Sequence, residues 1–387
     1  MSETVELPLS GVRVLDLGII TAGAATTALL ADLGAEVIKI ESPNYIDPFR
    51  VWTGGERRGD WWNQSDYFAF TNRNKKSICL DLKSETGRAL LLRLVARSDV
   101  LVENFRRGVM ERLRLGIDAL HAVNPGMIVA AVSSQGETGA DRTAVSFGST
   151  LEATAGMAAL TGFLGEPPLL TGRDMNYPDQ VVALFAAAMI ASALLARRRN
   201  GRGVHLDISQ RELTTYLLGE KFHPDASGRE GNDDACVFLQ TVAPTADRHW
   251  VALTIPTEAD LRDLDPFSVC DRVTLHRWIA SRSRAEILDI AAANAIVAAP
   301  VLDGAAICAA DWFAHSTALM RDPTGRSVKG FPFQFRASPM TISRATPPFG
   351  YDTAAVLTGL LGLGEAEIAT LTREGVIGDR PKGGYDQ

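Results

Sequence analysis

The apolar stretch Val181–Ala196 constrains this chain more than any other segment. It contains no charged residue, and Ser192 is its one polar residue. Alanine and leucine dominate it, so it should form a helix, and a helix that is apolar on every side is expected to be buried all round. The stretch is shorter than the roughly 20 residues that a bilayer requires. We therefore expect a core helix and no membrane span.

A single carboxylate, Asp179, stands just before this stretch, and no other acid or base occurs before Arg197. Pro178 disfavours helical geometry at Tyr177, and aspartate is a favourable N-cap, so the helix is expected to begin at Asp179. The simplest interpretation is that Asp179 only caps the helix. The alternative is a functional carboxylate at the end of a buried helix.

Short apolar segments alternate with helical ones along the first half of the chain. The predicted strands are Gly11–Leu17, Ala35–Ile40, Ser77–Leu82, Asp99–Glu103, Met127–Val132 and Val204–Ile208. The predicted intervening helices include Ala24–Leu33 and Ser84–Ala96. This alternation is typical of α/β proteins with a mainly parallel sheet covered on both faces, a Rossmann-like arrangement.

The character of the sequence changes at the polar, turn-rich segment His223–Asp234, which predicts a linker. A strand at Trp250–Ile255 and helices at Val273–Ser283 and Ala285–Ala293 follow. We expect a large α/β domain from 1–222, a linker and smaller α+β domain from 223–328, and a C-terminal segment from 329–387.

Composition excludes several classes of function. The 46 acidic and 39 basic residues give a net charge of −7, which disfavours nucleic acid and anionic membranes as partners. The four cysteines show no metal-binding spacing, so we expect no metal and a reducing, cytoplasmic location. They are Cys79, Cys236, Cys270 and Cys308. The N-terminal residues Met1–Glu6 lack an apolar signal core.

Two loops are candidate ligand sites. The glycine-containing loop Gly18–Gly23 precedes a helix and could bind an anion there, but it lacks the spacing of a dinucleotide fingerprint. An acidic residue, Glu41, follows the second predicted strand, so a dinucleotide-binding fold is considered, but the evidence for NAD binding is weak. The aromatic segment Asp47–Asp66 has no clear period and is interpreted as a surface or lid loop.

Two basic clusters flank the predicted strands. Arg73–Lys76, with Lys83 beyond it, forms the first, and Arg106-Arg107, with Arg112 beyond, forms the second. Each is either a solvated face or a site for a phosphorylated ligand, since several cations near sheet ends could balance phosphate charge.

The chain resembles the class III coenzyme A transferases, the family of formyl-CoA transferase and carnitine CoA-transferase, over essentially its whole length. The matching segments are Gly11–Leu17, Leu30–Glu41, Asn72–Lys83, Asp99–Phe105, Asn124-Pro125, Thr161–Phe163, Pro167-Pro168, Asp179–Gly203 and Leu360–Leu363. The resemblance implies an interlocked, ring-like dimer in which the large domain takes both ends of the sequence, so that 329–387 returns to it.

In this family an aspartate before the Ala-rich helix attacks an acyl-CoA thioester, and Asp179 is the matching position. The resemblance implies a mixed anhydride, then an aspartyl-CoA thioester, then the reverse exchange with an acceptor acid. Coenzyme A is a substrate in this scheme, and no metal takes part. The family's CoA contacts fall on Thr21, Ala22, Leu80, Asp81, Leu82, Lys83, Asn104, Phe105, Arg106 and Arg112.

Several positions depart from the family pattern. Thr21 and Ala24 replace the usual Gln and Pro, and the segment around Gly228 and Gly231 lacks the glycine run that closes over the acyl-aspartate. Further differences lie at Ser146, Gly148 and Gly350–Asp352. The segment Val145–Ser149 contains no His, which argues against the racemase branch.

These observations leave a ranked set of hypotheses. The first is an acyl-CoA:carboxylate CoA-transferase, with succinyl-CoA as a candidate donor. The second is a non-catalytic partner subunit of a heteromeric transferase, the third a CoA-thioester racemase or isomerase, and the last a nucleotide-dependent dehydrogenase. The transferase could act as a homodimer or with a related subunit. Trp52, Trp61, Trp62 and Phe147 could form an aromatic acyl pocket for a bulky acid.

Overall fold

The computed structural model describes residues 6–52, 57–171, 176–223, 228–264, 269–294 and 296–382. The chain divides into two compact units. The large unit comprises 1–155, 171–219 and 317–387, and the small unit comprises 156–170 and 220–316.

The secondary structure follows in chain order. The strands are β1 Arg13–Asp16, β2 Glu36–Glu41, β3 Lys76–Cys79, β4 Val100–Glu103, β5 Ile128–Ser133, β6 His205–Ser209, β7 Leu239–Pro244, β8 Trp250–Ile255, β9 Val297–Pro300, β10 Leu319–Arg321 and β11 Ser327–Lys329. The helices are α1 Ala22–Asp32, α2 Pro48–Val51, α3 Asp66–Asn72, α4 Glu85–Val95, α5 Val109–Arg112, α6 Ile117–Val123, α7 Gly148–Thr154, α8 Met157–Leu160, α9 Tyr177–Asn200, α10 Gln210–Tyr216, α11 Glu258–Leu264, α12 Arg272–Ala280, α13 Arg284–Ala293, α14 Gly304–Ala309, α15 Asp311–Ala314, α16 Thr353–Leu361 and α17 Glu365–Arg373. Short 3-10 turns occupy Trp61–Asn63 and Gly219–Phe222.

The large unit is built on a six-stranded sheet in the order β3-β2-β1-β4-β5-β6, and every neighbouring pair is parallel. This confirms the predicted mixed α/β class with a parallel sheet. The chain leaves β1 in one direction across the sheet and returns beside it as β4. In open parallel sheets such a reversal creates a crevice beyond the carboxyl ends of the two strands.

Both faces of this sheet are covered by apolar layers. On one face Leu15, Ile38, Ile78 and Leu101 pack with side chains of α4, α16 and α17. The other face carries the β-strand residues Val14, Val37, Val100 and Ile128 against α1 and α9. Because β4 and β5 are buried along their whole length, their sequences are apolar up to the last residue of each strand, Glu103 and Ser133, rather than alternating.

The helix α9 begins at Tyr177, two residues before the predicted start. Asn176 lies in the left-handed region, with φ of 47°, and is the N-cap. Pro178 fits in the first turn because the amide that proline lacks would have no intrahelical partner there. Asp179 therefore belongs to the first turn of α9, and the expectation that it caps the helix was wrong.

One side of α9 is buried and the other is exposed. Val182, Ala186 and Ile190 pack into the apolar layer with α1. Leu184, Phe185, Met189 and Leu195 are 48, 44, 38 and 60% exposed. The prediction that α9 is buried all round is therefore wrong for the single chain. By length and composition alone, α9 could cross a membrane. Its buried side packs as that of a core helix does.

The small unit contains the antiparallel sheet β7-β8-β9. Its core includes Leu253, Ile255, Leu275, Trp278 and Ile287, contributed by β8, α12 and α13. Residues 224–227 of the predicted linker lie outside the described residues.

In the basic cluster Arg73–Lys76, Arg73 and Lys75 are neither on a solvated face nor open to a phosphate. Arg73 is buried in an ion pair with Asp32, and the buried Lys75 Nζ lies 2.8 Å from Asp16 Oδ2. Lys76 pairs with Glu36. For Arg73 and Lys75 both interpretations fail, because Asp32 and Asp16 of the first βαβ unit neutralise them.

The aromatic segment Asp47–Asp66 is more ordered than a surface loop. It contains α2 and a 3-10 turn, and both Trp61 and Trp62 are buried in a satellite core with Cys79 and Phe349. Arg50 of α2 makes two hydrogen bonds to Glu41, at 2.6 and 2.7 Å. Residues 53–56, with the Gly-Gly pair of this segment, lie outside the described residues.

Candidate active site

A cleft of about 870 Å³ opens in the large unit at the carboxyl ends of the parallel strands. The loop after β1 contributes Ile19 and Ile20, and the loop after β4 contributes Asn104 and Phe105. These are the two strands at which the strand order reverses, so the cleft lies where an open α/β sheet is expected to bind ligands.

Backbone geometry holds the loop after β1 in place. A Cβ at Gly18 would lie 2.5 Å from the carbonyl carbon of Gly23, so only glycine permits this close approach. The Asn104 side chain accepts a hydrogen bond from the Ile19 amide at 2.8 Å and donates one to the Ile19 carbonyl at 3.0 Å. The Ile20 amide donates to the Asp47 carboxylate at 3.2 Å. The loop is therefore fixed to β4 and to the segment after β2.

Asp179 lines this cleft from the first turn of α9. Burial raises its pKa from 3.8 to about 7. Among the described residues no side chain donates a hydrogen bond to the Asp179 carboxyl group or forms an ion pair with it. A Cβ at Gly148 would lie 3.6 Å from Asp179 Oδ2, so the missing side chain leaves room beside the carboxyl group. Asp179 is thus a partly desolvated acid that no side chain in the described part of the protein neutralises.

Most of the residues expected to contact coenzyme A come together around this cleft. The lining includes Leu80, Leu82, Lys83, Asn104, Phe105 and Arg106 in addition to Asp179. The other four are not among the residues that line the cleft. Thr21 and Ala22 are buried at the start of α1, the Asp81 amide is bonded to the Val376 carbonyl, and Arg112 is exposed at the end of α5.

The cleft contains two kinds of cationic residue. Lys39 lies near Asp47, and Arg107 forms ion pairs with Glu103 and Glu137, so both are neutralised by the protein. Within the described parts of the chain, no acidic partner is seen for three further cations that line the cleft. They are Lys83, Arg106 and Arg142.

Arg142 was not identified from the sequence. It is a single basic residue in a polar loop between β5 and α7, and nothing in its neighbourhood marks it as a ligand contact. The loop brings it to the cleft that Arg106 also lines. Arg106 and Arg107 were predicted together as a possible phosphate site. Arg106 lines the cleft without an acidic partner among the described residues, whereas Arg107 forms ion pairs with Glu103 and Glu137.

The aromatic pocket predicted from four side chains is assembled from two of them. Trp52 and Phe147, which are 47 and 64% exposed, line the cleft together with Tyr45. Trp61 and Trp62 instead fill the satellite core, where they touch Ile46 and Phe349. Glu41, the acid on which the weak case for NAD depended, forms an ion pair with Arg50.

Comparisons with known proteins agree on one family. The model of the family described as CoA-transferase family III matches residues 9–353. A succinyl-CoA:D-citramalate CoA-transferase of Chloroflexus aurantiacus is 41% identical over 254 residues, which cover 64% of this chain and 61% of that protein. The β subunit of a succinyl-CoA:L-malate CoA-transferase of the same organism is 29% identical over 97% of this chain and 99% of its own length.

The α subunit of that L-malate enzyme is 36% identical, over 65% of this chain and 59% of its own length. The chain thus spans about 60% of the length of the first of these curated relatives and of this α subunit. Among solved structures, a CAIB/BAIF family protein from Brucella suis superposes with a TM-score of 0.81 at 25% identity, covering 92% of this chain and 100% of the other.

Proposed function

Because the chain belongs to CoA-transferase family III, we propose that it moves coenzyme A from an acyl-CoA to a carboxylic acid with Asp179 as nucleophile. The observation that supports this most strongly is the state of Asp179. It is a carboxyl group with a raised pKa in a cleft of about 870 Å³. Within the described ranges no side chain pairs with it, and three cations that line the cleft have no acidic partner.

The proposed reaction is a sequence of acyl exchanges. The Asp179 carboxylate attacks the thioester carbonyl carbon, the C–S bond breaks, and a mixed anhydride and CoA thiolate form. The thiolate then attacks the Asp179 carbonyl carbon, and the donor acid leaves as its carboxylate. The acceptor carboxylate attacks the resulting aspartyl-CoA thioester, and the same two steps run in reverse. No water and no net proton are consumed.

The environment of Asp179 suits this chemistry. A carboxylate is a weak nucleophile, and partial removal from water raises both its pKa and its reactivity. The anhydride and the thioester survive only where water is restricted. The small residue Gly148 leaves space beside the Asp179 carboxyl group, where the substrate carbonyl would have to approach.

The raised pKa of Asp179 predicts the pH dependence of the first half-reaction. Only the deprotonated form attacks, so kcat/KM for the acyl-CoA should fall about tenfold per pH unit below about 7 and level off above it. Exchange rates measured between about pH 5 and about pH 9 would show this. A profile that stays flat down to the ordinary aspartate pKa would contradict the assignment of Asp179.

The unpaired cations predict where the phosphates of coenzyme A bind. Replacing Lys83, Arg106 or Arg142 with Gln should raise KM for the acyl-CoA by roughly three- to tenfold each, with little change in kcat. The effect should shrink at high salt because the charges are exposed to solvent. Arg97→Gln removes an exposed charge outside the lining of the cleft, and its KM should match that of the unchanged protein.

Succinyl-CoA is the proposed donor. Three of the relatives named above are described as succinyl-CoA-dependent enzymes or subunits of one, although each is similar rather than identical.

The four cysteines are free, which supports the proposed cytoplasmic location, where acyl-CoA thioesters are available.

The second candidate is a non-catalytic subunit of a heteromeric transferase, which takes part in transfer only with a related partner chain. Both subunits of the L-malate transferase are similar to this chain. The exposed apolar side of α9, with Leu184, Phe185, Met189 and Leu195, favours burial against another subunit. We propose that this side lies in the interface of an interlocked dimer, whether with a second copy or with a related chain. A racemase or isomerase is the weaker third candidate.

Exchange of labelled succinate into succinyl-CoA tests the proposal without knowledge of the acceptor. A ping-pong transferase forms the aspartyl-CoA thioester, releases succinate and then accepts labelled succinate in return. The purified chain should therefore label succinyl-CoA with no second acid present. Hydrolysis without exchange would contradict the proposal. Exchange that requires an added related chain would support the subunit candidate.

A further inference from the structure

Two glutamine side chains in the cleft each hold an amide oxygen without a hydrogen-bond partner among the described residues. Gln135 and Gln210 are 3 and 5% exposed, and both line the cleft that contains Asp179. The oxygens Gln135 Oε1 and Gln210 Oε1 are both buried and unpartnered. Buried polar atoms nearly always have a partner, so two such oxygens in one cleft mark positions for hydrogen-bond donors of a ligand or of bound water.

The fold brings these two glutamines together. Gln135 follows the end of β5 by two residues, and Gln210 follows the end of β6 directly. The two strands are parallel neighbours, with Ser133 opposite Ser209. The Arg211 amide also donates to the Ser134 carbonyl at 3.1 Å, which ties the start of α10 to the loop after β5. The two amides therefore lie at the carboxyl ends of adjacent strands.

This pair lies on the Asp179 side of the cleft. Gln135 Nε2 donates to Ser146 Oγ at 2.7 Å, and Ser146 is two residues before Gly148. A Cβ on Gly148 would be 3.6 Å from Asp179 Oδ2. The glutamines are thus connected, through Ser146 and a short segment, to the residue that borders the reacting carboxyl group.

The chemistry of the free atoms restricts what they bind. An amide oxygen only accepts hydrogen bonds, so a carboxylate or a thioester carbonyl cannot satisfy it. The ligand group must be an O–H or an N–H, which could come from the acid or from the amides of the CoA arm. Lys83 follows β3, four strand spacings from β5, or roughly 19 Å across the sheet. The transferred acyl group must reach Asp179, and the glutamines lie on the Asp179 side of the cleft, so the acid is the part of the substrate placed nearest to them.

We infer that Gln135 and Gln210 bind a hydroxyl group carried by the acid, so that a substrate of this enzyme is a hydroxycarboxylic acid, an inference that rests on the proposed function. An acid whose hydroxyl fills these buried acceptors should be favoured over the analogue without it, because the analogue leaves the oxygens unpaired. The two glutamines would select the acid and take no part in bond making.

Matched pairs of acceptors test this inference. Transfer from succinyl-CoA would be measured to lactate against propionate and to 2-hydroxyglutarate against glutarate. We expect kcat/KM to favour the hydroxy acid of at least one pair by about ten- to a hundredfold. Gln135→Met and Gln210→Met, which keep the side-chain length, should each bring that ratio towards one by lowering the hydroxy-acid value alone. Gln240→Met in β7, outside the cleft lining, should leave it unchanged.

Succinate exchange separates the possible failures, because succinate has no hydroxyl. Normal exchange in both variants shows that they fold and keep Asp179 working. If the glutamine variants raise KM for succinyl-CoA but leave the ratio of hydroxy-acid to plain-acid kcat/KM unchanged, the oxygens bind the CoA arm, and the inference is overturned. Normal exchange with no preference in any pair would also overturn it while leaving the transferase intact. Absence of exchange in the unchanged protein would contradict the proposed function, and the hydroxy-acid site with it.

Discussion

Replacing Asp179 with Asn should abolish CoA transfer and leave a folded protein. The amide has no charge and cannot form the anhydride, so kcat/KM should fall by about four orders of magnitude or more, as loss of a covalent nucleophile does. Succinate exchange into succinyl-CoA is the measurement. Asp303→Asn is the matched control, because Asp303 caps α14 and Asn can cap it equally well. Substantial exchange by Asp179→Asn would show that another group is the nucleophile.

The same variant should be more stable than the unchanged protein at neutral and alkaline pH. The folded-state pKa of Asp179, about 7, lies above its ordinary value of 3.8, so folding favours the protonated form. Its favourable contribution is complete below pH 3.8 and is lost as pH rises through 7. At pH 8 Asp179→Asn should therefore gain about 1–2 kcal/mol, less than the full shift implies because the side chain borders the open cleft.

Urea unfolding at pH 8 and at low pH tests this stability prediction. The gain should vanish towards pH 4, where Asp179 is protonated and resembles the amide. A loss of stability in Asp179→Asn at pH 8 would indicate that the carboxylate has a structural role in the first turn of α9.

The second large effect is expected at Asp16, which neutralises the buried Lys75. Lys75 Nζ contacts Asp16 Oδ2, the Ala24 carbonyl and Asn72 Oδ1 at 2.8, 2.8 and 2.9 Å. Burial lowers the pKa of Lys75 to about 8 even with Asp16 beside it. Asp16→Asn would leave the ammonium group without a counter-charge, so the free energy of unfolding should fall by about 3–5 kcal/mol.

A surface ion pair provides the comparison for Asp16. Asp66 pairs with Arg326 but its side chain is 74% exposed, so Asp66→Asn should cost less than about 1 kcal/mol. Adding Lys75→Met to Asp16→Asn should restore part of the lost stability, because the uncompensated charge is gone. Equal effects of Asp16→Asn and Asp66→Asn in urea unfolding would contradict this account of the buried pair.

The parallel sheet could be predicted because its strands carry a strong local signal. Segments such as Val100–Val102 and Ile128–Val132 are continuously apolar and alternate with helical segments, which few architectures accommodate. Helix ends were less predictable. The start of α9 depended on whether Pro178 would end one segment or begin the next, and Asn176 in the left-handed region decided it.

Charged and aromatic residues were misjudged where tertiary contacts decide their role. Arg73 and Lys75 look like a solvated basic run, but their partners Asp32 and Asp16 lie more than 40 residues away in sequence. Trp61 and Trp62 look like loop aromatics, but Phe349, from the far end of the chain, covers them. No local pattern identifies such partners.

The candidate site was predictable where a family resemblance named the positions. Asp179, Lys83 and Arg106 were identified in that way and line one cleft in the structure, although their roles remain predictions. Gln135, Gln210 and Arg142 were missed. The two glutamines become neighbours only because β5 and β6 pair, and their unpartnered oxygens are visible only in three dimensions.

Intact-protein mass spectrometry tests the central claim most directly. The purified chain, alone, would be mixed with succinyl-CoA and trapped with hydroxylamine, with Asp179→Ala treated in parallel. We predict a modification that depends on both reagents, that peptide mapping locates at Asp179, and that the variant lacks. A folded protein that binds coenzyme A yet remains unmodified, or that is modified equally in the variant, would contradict the assignment of Asp179 as the nucleophile.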